Sequence, residues 1–293
     1  RDVAPSRGLG DVYKRQMLEE YMEEIDLLQT LPSGVEGMIM AGGILMLSFF
    51  IVMFIVVKKR WEGKVVPFFL GLLSYVIFVF VCVNLIMSAF ALIPSVDMAF
   101  SYNQHAYTIV YCVVASVAFL AARVVLGNMI TQRYDTRGDV YMAGMGLGIG
   151  DGILYGVTAV SYYVWCIAIR NEGLEQAFQG LSNSDITSTY ESVSTLFNAP
   201  IALWLLMGLG CIMDMLIHFA LTNATYGVIT GSLPKYWYAL STGIYFVNAI
   251  SFQLYDSSSM VSIAVSFAIK LIIFAASMYY TLSVAGKQIK YGE

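Results

Sequence analysis

From residue 37 onward, long apolar runs alternate with short polar stretches, and the length of those runs sets the first expectation. A helix needs about 20 mainly apolar residues to cross roughly 30 Å of hydrocarbon. Seven runs meet that need, at 37–57, 66–93, 106–131, 140–169, 200–230, 236–254 and 260–285. They predict an all-α fold: a polytopic membrane helix bundle of about seven transmembrane helices filling residues 37–286. The polar stretch 170–198, rich in Ser, Thr and Asn, reads as a solvated outer loop with one short amphipathic turn near Leu174 to Leu181. No internal repeat of fixed period is visible.

Composition agrees with this reading. Of the 293 residues, 58% are hydrophobic and 12% charged, whereas soluble domains carry about twice that charged fraction. The net charge of −4 and the lack of any Lys/Arg block exclude a nucleic-acid partner, which would need a basic footprint. The bilayer is the expected partner, together with other membrane helices or peptides, and the expected location is a bacterial plasma membrane.

Lys and Arg in short loops stay on the cytoplasmic side, so they decide the direction of the spans. With the N-terminus outside and the C-terminus inside, the inner segments hold Lys58, Lys59, Arg60, Lys64, Arg133, Arg137, Lys235, Lys287 and Lys290. From Met17 onward, the outer segments hold only Arg170. Residues 287–293 then form a cytoplasmic tail. The opening "RDVAPSRGLGDVYKRQ", residues 1–16, reads as translated adapter sequence, with Met17 as the expected start. The acidic segment 17–36 has neither a basic n-region nor a small-residue cleavage site, so no cleaved signal peptide is expected.

The stretch "GMGLGIGDGILYG", residues 144–156, could be a phosphate cradle or a packing face. A cradle needs glycines between a strand and a soluble helix, usually with a nearby lysine, and that context is missing. Gly144, Gly148, Gly152 and Gly156 recur every fourth residue, the small-xxx-small pattern that lets membrane helices approach closely. Gly146 and Gly150 add a second small stripe, which makes the fourth span a central helix. Each glycine costs about 1 kcal/mol of helix propensity, so packing or a deliberate backbone break has to repay them.

Five ionisable residues fall at membrane depth: Arg123, Asp151, Asp214, His218 and Lys270. Burying such charges singly costs several kcal/mol, so partners are expected. Arg123 and Asp151 lie at about 12 and about 17 Å from the inner ends of their spans at a rise of about 1.5 Å per residue, and could pair across adjacent helices. Asp214 and His218, four residues apart, share a helix face and could bind a metal, relay a proton or satisfy each other. Lys270 needs an acidic partner, with Asp214 the first choice. A lysine in the last of seven spans also fits a retinal Schiff base, but that arrangement wants a carboxylate on the third span, and 106–131 has none. The four cysteines, Cys82, Cys112, Cys166 and Cys211, lie in separate apolar runs with no CxxC spacing. They read as small packing residues.

Taken together, these features resemble the YhfC-like family of predicted intramembrane metalloproteases over most of the chain after Met17. The glycines Gly146, Gly148 and Gly150 match the family's fourth-span pattern, and Arg123 matches its third-span arginine. Where that family carries its third-span glutamate pair this chain has Phe119 and Leu120. Ile149 and Ile153 stand at the fourth-span histidine and acid, and Ile244 and Asn248 at the sixth-span histidine and aspartate. The resemblance therefore implies a relative without the reaction, because a metalloprotease needs lone-pair ligands and a carboxylate to activate water. No metal, cofactor or catalytic residue is expected.

Three functions are compatible with this reading. The first is a non-catalytic scaffold that holds a helix, peptide or lipid in the former active-site cavity. The second is a transporter or permease component using the five ionisable residues. The third is a membrane peptidase with a rearranged site. Scattered ion pairs would favour the first, and convergence on a wet cavity would favour transport or cryptic chemistry.

Overall fold

The structure is a computed structural model that describes residues 31–174, 189, 193–251 and 258–292. The expected adapter segment, most of the acidic segment 17–36 and the expected amphipathic turn up to Leu181 lie largely outside the described residues. Among the described residues there are helices and turns and no strand.

Eight main helices follow one another among the described residues, beside a short helical segment at 193–198. They are α1 (Val35–Arg60), α2 (Val65–Ala91), α3 (Pro94–Tyr102), α4 (Gln104–Ile130), α5 (Arg137–Glu172), α6 (Ala202–Ile229), α7 (Tyr236–Ser251) and α8 (Met260–Met278), which continues as a π-helical stretch Tyr279–Ala285. The rods α1, α2, α4, α5, α6 and the α8 rod are six helices long and apolar enough to cross a membrane. The chain is thus built as a multi-pass membrane protein. The expected sixth run forms α7, of which 16 residues are described. The connection after α2 holds α3, a helix the hydropathy pattern did not show, opened by Pro94 in its first turn, where the missing N–H costs nothing.

Local chemistry sets several helix ends. The Asn103, Thr136 and Ser259 side chains accept backbone N–H groups of Ala106, Asp139 and Ser262, satisfying donors that a helix start leaves orphaned. Lys58, Lys59 and Arg60 close α1, where cations favour the negative end of the helix dipole. Outward faces carry Phe69, Leu73, Phe80, Val157, Val160, Val164, Val261 and Ile272, each at least half exposed. Isolated apolar side chains are ordinary on a soluble surface, whereas bands of them along long helices are what a lipid-facing surface requires.

The glycine helix α5 has two different halves. From Gly138 to Gly150 every residue is buried, and beyond Asp151 exposed aliphatic residues appear at Ile153, Leu154 and Val157. The buried half is held between α2 and α6. A Cβ at Gly144 would stand 2.9 Å from the Phe219 Cα, and one at Gly148 3.0 Å from the Met215 Cα, so α5 and α6 approach backbone to backbone. On the other side a Cβ at Gly146 would overlap the Phe68 carbonyl, and one at Gly150 the Tyr75 ring. The four-residue stripe does not continue as one interface. Gly152 faces only the Met46 sulfur and its own helix's Ile149, and Gly156 has open space around it.

The connections that carry Lys58 to Lys64, Arg133, Arg137 and Lys235 gather at one end. There the Lys64 N–H donates to Asp139 Oδ1 at 2.8 Å, and the Tyr226 hydroxyl donates to the Asp135 carbonyl at 3.1 Å. The segment 287–292, expected as a tail, is docked. The Gly292 N–H donates to the Asp135 carbonyl at 3.0 Å, the Lys290 N–H to Ser232 Oγ at 3.2 Å, and the Tyr291 hydroxyl to the Asn223 amide oxygen. At the opposite end Arg170 pairs with Glu36 at 2.7 Å. The connection 170–198 is not wholly solvated: Leu174, Val193, Leu196 and Phe197 are buried against Val35, Ile39 and Trp204. Val193, Leu196 and Phe197 repeat at i, i+3 and i+4, which makes one apolar helical face.

Candidate functional site

The five ionisable residues singled out in the sequence come together at mid-depth in two linked groups. Asp151, Asp214 and Lys270 stand 14, 12 and 10 residues from the first residues of α5, α6 and α8, or about 15 to 21 Å at the helical rise.

In the first group His218 lies between Arg123 and Asp151. Arg123 Nη2 is 3.0 Å from His218 Nδ1, and His218 Nε2 is 3.2 Å from Asp151 Oδ2. Arg123 and Asp151 are therefore bridged by a histidine and not paired directly. The reason lies in the packing: α4 and α5 touch little, and both pack on α6, which carries the bridging residue. Arginine offers only donors, so Nδ1 must accept and Nε2 must carry the hydrogen that Asp151 receives. This fixes a neutral imidazole with its hydrogen on Nε2. Gly148 makes the bridge possible, since a Cβ there would lie 3.1 Å from the His218 Cβ.

Aromatic rings enclose this bridge. The Phe119 ring centroid is 4.2 Å and the Tyr245 centroid 5.0 Å from that of His218, and the Arg123 guanidinium carbon is 5.5 Å from both rings. Arg123 is fully buried, and its Nε and Nη1 have no hydrogen-bond partner. Cation–π attraction from two rings offsets part of that cost. Phe119 thus does a specific job at the position where the family resemblance would place a glutamate.

In the second group Asp214 turns away from His218. Lys270 Nζ is 2.8 Å from Asp214 Oδ1 and 2.9 Å from Oδ2, and Asn248 Nδ2 donates to Oδ1 at 2.6 Å. Asp214 and His218 share a helix but not a site: the first faces α7 and α8, the second α4 and α5. Sequence reading missed Asn248 as a partner, although a polar side chain within the apolar run 236–254 was its signal.

A cavity of about 300 Å³ joins the two groups. Asp151, Asp214, Asn248 and Lys270 line it, with rings from Tyr75, Tyr111, Phe119, Tyr155 and Tyr245. Arg123 and His218 stand behind this wall. Tyr75 stands with Asp151 on the cavity wall. It opens a π-helical stretch within α2, Tyr75–Val83, a winding often found where a helix re-aims a side chain at a functional site. Gly150 leaves the room its ring fills.

Among the described residues no three His, Cys, Asp or Glu side chains come together as a metal site. Of the positions singled out by the family resemblance, Phe119 and Asn248 line the cavity and Ile244 packs in the same cluster as Phe119, whereas Ile149 is buried in another cluster and Ile153 is 49% exposed on the outer face. The chain matches no protein-family model, no curated protein and no solved structure. Fold and site define a multi-pass helical membrane protein with a polar cavity at mid-depth.

Proposed function

We propose that this protein binds a small polar solute in its intramembrane cavity, in the manner of a permease and without a reaction of its own. One observation carries the reading: residues from six helices, α2 and α4 to α8, bring two carboxylates, an ammonium, an amide and several tyrosines onto one cavity at mid-depth. Ionisable groups at that depth are costly and characteristic of substrate paths, and small-solute sites in membrane bundles lie near the midplane. In this reading α7 is a seventh crossing, the basic end lies in the cytoplasm, and the bilayer is the bacterial plasma membrane. As a relative of the YhfC-like proteases the chain would keep a bundle whose reactive positions, 119, 149, 153 and 244, now carry hydrocarbon.

The test is a thermal-unfolding panel on the purified full chain in detergent, across small cations, anions, zwitterions and neutral solutes. At least one charge class should raise the melting temperature, and the rise should vanish on filling the cavity with Ala115→Phe. A flat panel sinks the reading.

One observation favours the scaffold alternative. A purely apolar groove between α2 and α4, lined by Phe78, Cys82, Ile86, Val113, Val117 and Ala121, lies on the outer face. It fits a lipid chain or a helix. Cross-linking from Val117→Cys to a lipid or protein partner, with the solute panel flat, would turn the choice to that alternative.

A further inference from the structure

We propose that the solute is a small protonated amine held by Asp151. This deepens the reading given above and rests on it. Four burial values decide the sign of the charge. The side chains of the two cations are 0% exposed at Arg123 and 4% exposed at Lys270, whereas the carboxylates Asp151 and Asp214 are 27% and 20% exposed. Arg123 is withdrawn behind His218 and Asp151, and Lys270, though it touches the cavity, is nearly covered and paired with Asp214, so the surface offered to a solute is mainly negative while the site as a whole is neutral.

The two carboxylates are not equivalent. Asp214 is engaged at both oxygens by Lys270, with Asn248 added on one. Asp151 has Oδ2 on His218 and Tyr75 beside it, and a carboxylate has about four lone-pair positions to fill. Asp151 therefore keeps acceptor capacity toward the cavity.

A second observation points to a ligand that bears N–H groups. Asn248 lines the same cavity and is 1% exposed; its amide nitrogen is spent on Asp214, and its amide oxygen has no partner. A buried acceptor without a donor is costly, and an ammonium supplies donors. The rings of Tyr75, Tyr111 and Tyr245 along the same wall add cation–π attraction. A bare divalent ion fits less well, since it wants six or more oxygen ligands and no acidic triad is present among the described residues. The cavity volume, about 300 Å³, is at the small end for ligand sites and fits a short alkylammonium.

The experiment is calorimetric titration of the full chain in nanodiscs with propylammonium, tetramethylammonium, propionate, glycine and propionamide. Propylammonium should bind at least about tenfold more tightly than the other four, and Asp151→Asn should weaken it by about tenfold or more, the usual scale for a lost charge partner. Because Asp151 also holds His218, Tyr111→Ala serves as a second variant. Tyr111 is at the exposed edge of the wall, and its truncation should weaken propylammonium several-fold while leaving the fold intact. If propionate, glycine or propionamide binds best, the cavity is a solute site and the amine assignment is overturned. Tetramethylammonium equal to propylammonium removes the role given to N–H donation. If none of the five binds, both the amine assignment and the solute-site reading fall.

Discussion

The half of the bundle at the basic end is solid, whereas the opposite half is packed on one side, where α1, α5 and α6 bury Ile39, Ala159, Cys166 and Trp204, and hollow on the other, although the same rods build both. Toward the basic end, glycines at 144, 146 and 148 let α5 meet α2 and α6 at backbone distance, and the loops and the docked segment 287–292 close the floor. Above Asp151 α5 stays packed with α1 and α6 through Tyr155, Ala159 and Cys166, but Gly156 has no neighbour and the space toward α2, α4, α7 and α8 is lined by tyrosines and paired charges. The comparison teaches that the glycines and the ionisable residues are two parts of one device. Tight packing below sets the height at which the cavity opens, and the charges stand where it begins.

The largest expected effect strikes the solid half. Gly146→Leu has nowhere to go, because even a Cβ would overlap the Phe68 carbonyl. It should cost about 3 kcal/mol or more, at the upper end of overpacking, and abolish monodisperse protein in size-exclusion chromatography. Gly156→Leu on the same helix should be silent, since open space surrounds it. Equal behaviour of the two variants would erase the distinction between the halves.

An intermediate effect belongs to the wall of the hollow half. Asp214→Ala leaves the Lys270 ammonium buried without its carboxylate, and breaking a buried pair from one side costs about 3 to 5 kcal/mol. Asp214→Leu combined with Lys270→Met should recover most of the lost melting temperature, because a buried pair replaced as a whole by apolar residues is often neutral. Failure of the double variant to recover would mean that the pair shapes the wall in some way beyond charge neutralisation.

The smallest effect concerns the floor. Burial pushes the Tyr291 phenol above its ordinary value of 10.0, so the docked form favours the protonated hydroxyl that donates to Asn223. The stabilisation is therefore complete below pH of about 10 and is lost as the pH rises through the higher value of the docked phenol. Limited proteolysis of the segment 287–292 should accelerate only in strongly alkaline buffer. Tyr291→Phe should loosen the segment by about 1 kcal/mol, the worth of one hydrogen bond, and should remove that pH dependence.

Much of the architecture was legible in the chain. Helix identity, approximate ends, the clustering of basic residues at one end and the depth of the five ionisable residues all follow from local quantities: run length, capping residues and a fixed rise per residue. The pairing of Lys270 with Asp214 was also within reach, since few acids lie at that depth. The helix Pro94–Tyr102 was not, because its nine residues carry too few apolar positions to stand out from a connection.

What only the tertiary structure decided is which neighbour each face meets. Asp214 and His218 share a helix face by spacing, yet one turns to Lys270 and Asn248 and the other to Arg123 and Asp151. The glycine stripe is continuous in sequence, yet it is an interface only as far as Gly148. A helix dictates the direction of its side chains relative to its own axis, whereas partners depend on where other axes cross it. Those crossings are set by packing summed over the whole bundle.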